Sequence, residues 1–135
     1  MTQSPLAARI AQILATHDMD ALQPLLDENV VFRPPTYWAD WVGREPVAIL
    51  LEHVGQIFRD FRYRRSWADG PNHALEFEAK VGDLDIVGVD LITTNAEGLI
   101  TEFEVVARPL KTVAALREAM QARVMRDPRM LKFAK

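Results

Sequence analysis

The clearest indication of the fold class lies between Leu75 and Ala107, in the sequence LEFEAKVGDLDIVGVDLITTNAEGLITEFEVVA. Apolar and polar residues alternate along most of it with a period of two, which is typical of half-buried β-strands. Two turn signals divide it, Gly82-Asp83 and the run from Asn95 to Gly98. Strands joined by such short turns pair with antiparallel neighbours. We therefore predict three consecutive antiparallel strands here, with a fourth before them around Phe61 to Trp67.

Helical spacing of apolar residues dominates the rest of the chain. Ser4-Pro5 predicts the start of a first helix, and Asp18 is a candidate cap for a short second one. A third helix is expected to open between Gly43 and Pro46, and a fourth to follow Pro109. A short strand is predicted at Val30 to Phe32. Helices grouped apart from a run of strands are typical of α+β proteins.

The predicted fold class is therefore α+β, with a curved, mostly antiparallel sheet wrapped around about four helices. We expect a cone-shaped α+β barrel with an internal apolar pocket, because a sheet that curls over helices leaves concave volume unfilled. With 135 residues, the chain is expected to form a single domain over 1–135. Residues from about 127 to 135 are basic and are expected to form a flexible tail or to dock on a partner.

Composition excludes several classes of function. The chain has no cysteine, and its first residues lack the pattern of a signal peptide, so we expect a cytoplasmic protein. Its formal net charge of −3 argues against nucleic acid as a partner. The longest aliphatic run is far too short to cross a membrane. No glycine-rich phosphate-binding motif or metal-ligand cluster is present, so no cofactor and no metal are expected.

Asp90 is the first candidate for a catalytic residue. It interrupts the apolar strand face formed by Ile86, Gly88 and Ile92, where an ionised carboxylate is costly unless it is paired. A neutral carboxyl there can donate a hydrogen bond to a ligand, whereas an ionised one can act as a base. The alternative is that a Tyr, Trp or backbone donor holds Asp90 for purely structural reasons. His53 flanks the apolar stripe of the third helix and is a second catalytic candidate, as an acid–base partner of Asp90.

The ligand-binding candidates are the apolar residues that should face the pocket. An aromatic loop after the first strand is predicted either to form a lid over the pocket or to fill a gap beside the sheet. The candidates in the loop, the third helix and the strands are Phe32, Tyr37, Trp38, Trp41, Leu50, Val54, Phe77, Phe103 and Val105.

The run from Gly88 to Ile100, followed by Phe103 to Pro109, resembles the nuclear transport factor 2-like superfamily, which includes SnoaL-like and ketosteroid isomerase-like domains with a cystatin-like fold. The segment Asp27 to Phe32 is also similar to it. The resemblance covers nearly the whole chain and implies the fold described above. In ketosteroid isomerases, a buried Asp on this strand helps to hold the oxyanion of the substrate. The resemblance implies this role for Asp90.

Other positions depart from the enzymes of this superfamily. The Tyr and the general-base Asp of ketosteroid isomerases fall near Ile10 and at Arg33. The Arg and the second Asp of the epoxide hydrolases fall at Gly88 and near Val105. The resemblance therefore does not predict either of those reactions.

Three functions are compatible with these residues. The first is a SnoaL-like protein that binds a small apolar, polycyclic or aromatic molecule and catalyses proton transfer through Asp90, as in isomerisation, cyclisation or dehydration. The second is a non-catalytic binding module, and the third is a dimeric interaction scaffold. The outer sheet face carries Val87, Val89, Leu91 and Val106, and we expect it to form a homodimer interface, as the resemblance also implies.

Overall fold

The computed structural model describes residues 4–133. Its helices and strands follow in the order α1 Pro5–Thr16, β1 Leu26–Arg33, β2 Trp41–Val42, α2 Arg44–Ile57, β3 Phe58–Asp69, β4 Asn72–Val81, β5 Leu84–Thr94, β6 Ile100–Arg108 and α3 Leu110–Met125. Short 3-10 helices lie at Met19–Ala21, Gln23–Leu25 and Pro128–Phe133.

The strands form one six-stranded sheet in the order β2-β1-β6-β5-β4-β3. Strands β3 to β6 are consecutive antiparallel neighbours, as the turn signals predict. Strand β1 pairs parallel with β6, and β2 pairs antiparallel with β1. The α+β class is confirmed. Within the described residues β2 and β3 end the sheet at opposite edges, so it is a curved open sheet rather than a closed barrel.

Local signals place most helix ends correctly. The Ser4 side chain accepts a hydrogen bond of 3.0 Å from the Ala7 amide, and Pro5 occupies the first turn of α1. The expected second helix is wrong: two 3-10 turns replace it, and Asp18 makes no side-chain cap. Pro24 lies inside that segment and cannot donate the amide hydrogen bond that a continuous α-helix requires.

The core lies between the concave face of the sheet and the three α-helices. Ile10 of α1, Leu51 of α2 and Leu116 of α3 are each no more than 7% exposed. The start of α3 is fixed to the sheet by Thr112, whose hydroxyl donates to the Asp85 carbonyl at 2.7 Å. No helix among the described residues is long and apolar enough to span a membrane.

The C-terminal segment Pro128–Phe133 packs on α2 of its own chain. Met130 is buried, the Arg129 guanidinium lies 2.9 Å from the Glu52 carboxylate, and the Lys132 ammonium lies 2.7 Å from Glu45. The basic charges of this segment therefore face acidic side chains of the helix. Residues 134–135 of the predicted tail lie outside the described residues.

Candidate functional site

Asp90 lies in the middle of β5, on the face that meets the helices. It is 5% exposed, with Leu75 of β4 and Val105 of β6 as its neighbours in the sheet. The Tyr63 hydroxyl of β3 reaches across β4 and donates a hydrogen bond of 2.7 Å to Asp90 Oδ2. This pair joins two strands that are not adjacent in the sheet.

Burial controls the protonation of this pair. Removal from water raises the pKa of Asp90 to about 7, although the hydrogen bond from Tyr63 acts in the opposite direction. The pKa of Tyr63 lies well above its usual value because burial and the neighbouring Asp90 carboxylate both disfavour a phenolate. Tyr63 therefore stays a neutral donor, whereas Asp90 is present in both its neutral and its ionised form near neutral pH.

The pair borders a small apolar space, here called the inner cavity, of about 70 Å³. Tyr63 and Asp90 are its only ionisable lining residues in the described part of the chain. Five predicted ligand-binding residues line it together: Phe32, Val54, Phe77, Phe103 and Val105. The space next to Asp90 is thus small and apolar, and the pocket predicted from the sequence stays a prediction.

The remaining ligand-binding candidates lie elsewhere. Tyr37, Trp41 and Leu50 line a second apolar space of about 340 Å³ between the loop after β1 and helices α2 and α3, here called the outer groove. Trp38 lines neither space, because its side chain is 99% exposed. The aromatic loop therefore covers the outer groove rather than the inner cavity, and Trp38 is not part of that cover.

His53 does not pair with Asp90. Its Nε2–H donates to Asp127 Oδ2 at 2.8 Å, and its Nδ1 accepts a hydrogen bond of 3.2 Å from Arg123 Nε. The imidazole lies on the side of α2 that faces α3 and the C-terminal segment, which explains why it does not reach the cavity. The prediction of an acid–base pair between His53 and Asp90 is therefore wrong. His53 instead binds Asp127, just before the C-terminal segment.

The structure also shows where the residues lie that replace catalytic residues of related enzymes. Ile10 lines the inner cavity near Asp90, where it supplies no polar group. Arg33 points outward, with ion pairs of 3.5 Å to Asp40 and 3.4 Å to Glu102. At Gly88, an added Cβ would lie 2.5 Å from the Phe77 ring, so glycine permits this ring to pack over β5.

Tyr63 is the candidate site residue that the sequence patterns do not identify. Its position between Arg62 and Arg64 predicts a buried face for the aromatic ring, but the alternation does not say which strand its hydroxyl reaches. A buried Tyr needs a hydrogen-bond partner, and a buried Asp needs a donor. The need of a buried Tyr for a partner and of a buried Asp for a donor is the signal in the sequence that could have paired Tyr63 with Asp90.

Comparison with known proteins agrees with this geometry. The model of the SnoaL-like domain matches residues 7–103. An uncharacterised protein with a cystatin-like fold from Silicibacter pomeroyi is 57% identical to this chain, with a TM-score of 0.91 over 96% of this chain and 92% of its own. No curated protein sequence matches the chain.

Two further solved structures share the architecture. A steroid delta-isomerase from Pseudomonas aeruginosa is 34% identical, with a TM-score of 0.82 over 93% of this chain and 96% of its own. A putative SnoaL-like polyketide cyclase from Shewanella denitrificans is 15% identical, with a TM-score of 0.62 over 86% of this chain and 99% of its own, and this likeness concerns the fold alone. The domain match over most of the chain, together with the 34% identity to the steroid delta-isomerase, shows that the chain belongs to the SnoaL-like domain family.

Proposed function

We propose that this protein binds a small apolar molecule carrying a carbonyl or similar oxygen, and that Asp90 transfers a proton to or from it. The reaction class would be isomerisation, cyclisation or dehydration without a cofactor. One observation carries this proposal: the hydrogen-bonded pair of Asp90 and Tyr63 is the polar feature of an otherwise apolar inner cavity.

The pair suits proton transfer in two ways. In its ionised form, Asp90 can remove a proton from the carbon next to a carbonyl group, and the C–H electron pair then moves to give an enolate. The new carboxyl can exchange its proton with solvent and protonate the same carbon, which gives exchange, or it can protonate the far carbon of the dienolate from an unsaturated ketone, which gives isomerisation. In its neutral form, Asp90 can donate a hydrogen bond to the ligand oxygen. A pKa of about 7 makes both forms available at neutral pH.

Similarity to the steroid delta-isomerase supports an isomerase-type reaction but not the same substrate. An inner cavity of about 70 Å³ is much smaller than the roughly 300–1,000 Å³ of typical ligand pockets. A rigid ring system would therefore have to displace the side chains that fill the concave face. A small or flexible molecule that inserts only its oxygen-bearing end fits this site better.

The second candidate is a non-catalytic binding module in which Asp90 only anchors the ligand. Two observations favour it: Tyr63 already restrains the carboxylate, and the described lining residues supply no second acid or base besides this pair. In this role Asp90 donates or accepts a hydrogen bond without moving a proton between carbon atoms.

We also propose that the protein forms a homodimer through the outer face of the sheet. Val89 of β5 lies opposite Val106 of β6 on this face, and Leu91 and Val106 are 42% and 55% exposed. Burial of such a strip in a second copy removes apolar surface from water. Sedimentation at micromolar concentration should give a dimer, and a monomer would contradict this proposal. A dimer that binds no small molecule would favour a scaffold role.

Exchange of ketone α-protons in D2O tests the catalytic proposal. The wild type should accelerate deuteration of 2-butanone, followed by proton NMR, and Asp90→Asn should abolish the acceleration. Tyr63→Phe should change the pH dependence of the exchange rate, because this substitution removes the hydrogen bond that favours the ionised form of Asp90. Asp83→Asn, at an exposed hairpin position, is the matched control. Binding of 2-butanone without acceleration would support the binding module instead.

A further inference from the structure

The inner cavity and the outer groove are neighbours with a common wall. Phe32 of β1 lines both, and it is the only residue of the described chain that does. Its ring is 5% exposed and makes an edge contact with Phe103, at 5.8 Å between ring centroids.

The helices show how close the two spaces are. On α3, Leu116 lines the inner cavity and Met120 lines the outer groove, one helical turn further on. On α2, Leu51 lines the cavity and the adjacent Leu50 lines the groove. One turn of helix advances about 5.4 Å, which is the length of a few carbon–carbon bonds. A chain of several methylene groups can therefore extend from one space into the other.

The two spaces differ in polarity. One suits the polar end of a ligand, and the other suits an apolar end. The inner cavity offers the hydrogen-bonding pair of Asp90 and Tyr63. The outer groove is lined mainly by apolar side chains, and the contact between Gln121 and the Tyr37 hydroxyl lies at its exposed rim. At about 340 Å³, the groove lies within the roughly 300–1,000 Å³ of typical ligand pockets, whereas the inner cavity does not.

We propose that the inner cavity and the outer groove together form one site for an elongated aliphatic carbonyl compound. Its oxygen lies against Asp90, its alkyl chain lies in the groove under Tyr37 and Trp41, and Phe32 turns aside to connect the two spaces. This inference rests on the proposed function, because it assigns the head of the ligand to Asp90. It adds the class of the ligand and a second part of the site.

A series of methyl ketones from 2-butanone to 2-nonanone tests the proposal in the full-length protein. Affinity is measured from ¹H–¹⁵N spectra, in which the three tryptophan indole signals are assigned with single Trp→Phe variants. Each methylene that enters the groove should strengthen binding about fourfold, since burial of one CH₂ is worth about 0.8 kcal/mol. The Trp41 indole signal should move with the longer ketones only, whereas the signal of the exposed Trp38 should stay in place.

Variants separate the two parts of the site. Met120→Gln places an amide in the groove and should weaken 2-nonanone but not 2-butanone, because an alkyl chain cannot satisfy a polar group. Met19→Gln is the matched control, since Met19 is also half-buried but lines neither space. Asp90→Leu, which removes the hydrogen bond to the ligand oxygen at similar side-chain size, should weaken the whole series by a similar factor. Phe32→Leu, which thins the common wall, should speed the association of 2-nonanone.

The outcomes distinguish this inference from the proposed function. Binding that depends on Asp90 but is equally tight for short and long ketones would overturn the two-part site and leave the proposed function intact. A gain with chain length that is insensitive to Asp90→Leu would place the whole ligand in the groove and would also overturn the two-part site. Absence of binding throughout the series would overturn the two-part site for aliphatic ketones. Absence of α-proton exchange alone, with binding retained, would count only against catalysis.

Discussion

The free energy of unfolding of the Asp90→Asn variant should increase relative to that of the wild type as the pH rises from 4 to 8. In the unfolded chain the carboxyl ionises with an ordinary pKa near 3.8, but burial holds the folded-state pKa at about 7. Between these values, folding of the wild type must take up a proton, so the wild type loses stability with rising pH. The gap of about 3 between the two pKa values corresponds to about 4 kcal/mol at 1.36 kcal/mol per pH unit.

Urea unfolding at several pH values measures this effect. Asn is nearly isosteric with Asp and can still accept the hydrogen bond from Tyr63, so packing changes little. The difference in free energy of unfolding, variant minus wild type, should increase by about 4 kcal/mol across the range. Asp83→Asn supplies the baseline for loss of an exposed carboxylate. A difference that is constant with pH, or that falls, would refute the conclusion that burial raises the pKa of Asp90.

Other substitutions test the packing around the site and the attachment of the C-terminal segment. Gly88→Ala should destabilise the protein by about 1–3 kcal/mol in thermal or urea unfolding, because its Cβ would lie 2.5 Å from the Phe77 ring. Gly55→Ala should cost less, since its Cβ would meet only the end of a flexible leucine side chain. Asp127→Asn should increase cleavage by trypsin at the C-terminal segment at neutral pH. The Arg129 guanidinium holds the pKa of Asp127 well below its usual range, so the loss of stability caused by this substitution, measured by urea unfolding, should shrink as the pH falls below about 4.

Periodicity and turn signals are strong enough to predict the sheet. Alternation from Leu75 to Val81 places Phe77 on the inner face, and the Gly82-Asp83 turn fixes the register with β5. The same alternation identifies Asp90 as a polar residue on an apolar face, and the structure buries it there. These predictions depend only on local patterns, and local patterns determine which way a strand residue points.

The partners of buried polar groups are not local, and here the prediction is incomplete. Tyr63 meets Asp90 across an intervening strand, which requires the curvature of the sheet as well as its register. His53 forms a hydrogen bond with Asp127 because the C-terminal segment folds back onto α2. The two residues are 74 positions apart in the sequence. Helical spacing places His53 at the edge of an apolar stripe but does not say which element covers that edge.

The aromatic loop shows a similar limit. Tyr37, Trp38 and Trp41 have the same character in sequence, but two of them line the outer groove and Trp38 faces solvent. Irregular backbone has no period from which to read the direction of a side chain. The division of the site into two spaces follows from tertiary packing around Phe32, which no local pattern encodes.

The most direct test of a buried, ligand-accessible Asp90 is a ¹³C NMR titration of its carboxyl carbon, assigned with Asp90→Asn, with and without 2-butanone. Our account predicts a midpoint near pH 7 in the free protein. The midpoint should be higher when 2-butanone is bound, because a ligand oxygen stabilises the neutral, hydrogen-bond-donating form. A midpoint near pH 4 that the ketone leaves unchanged would show that Asp90 is solvated and takes no part in binding, which would contradict its role in the proposed function.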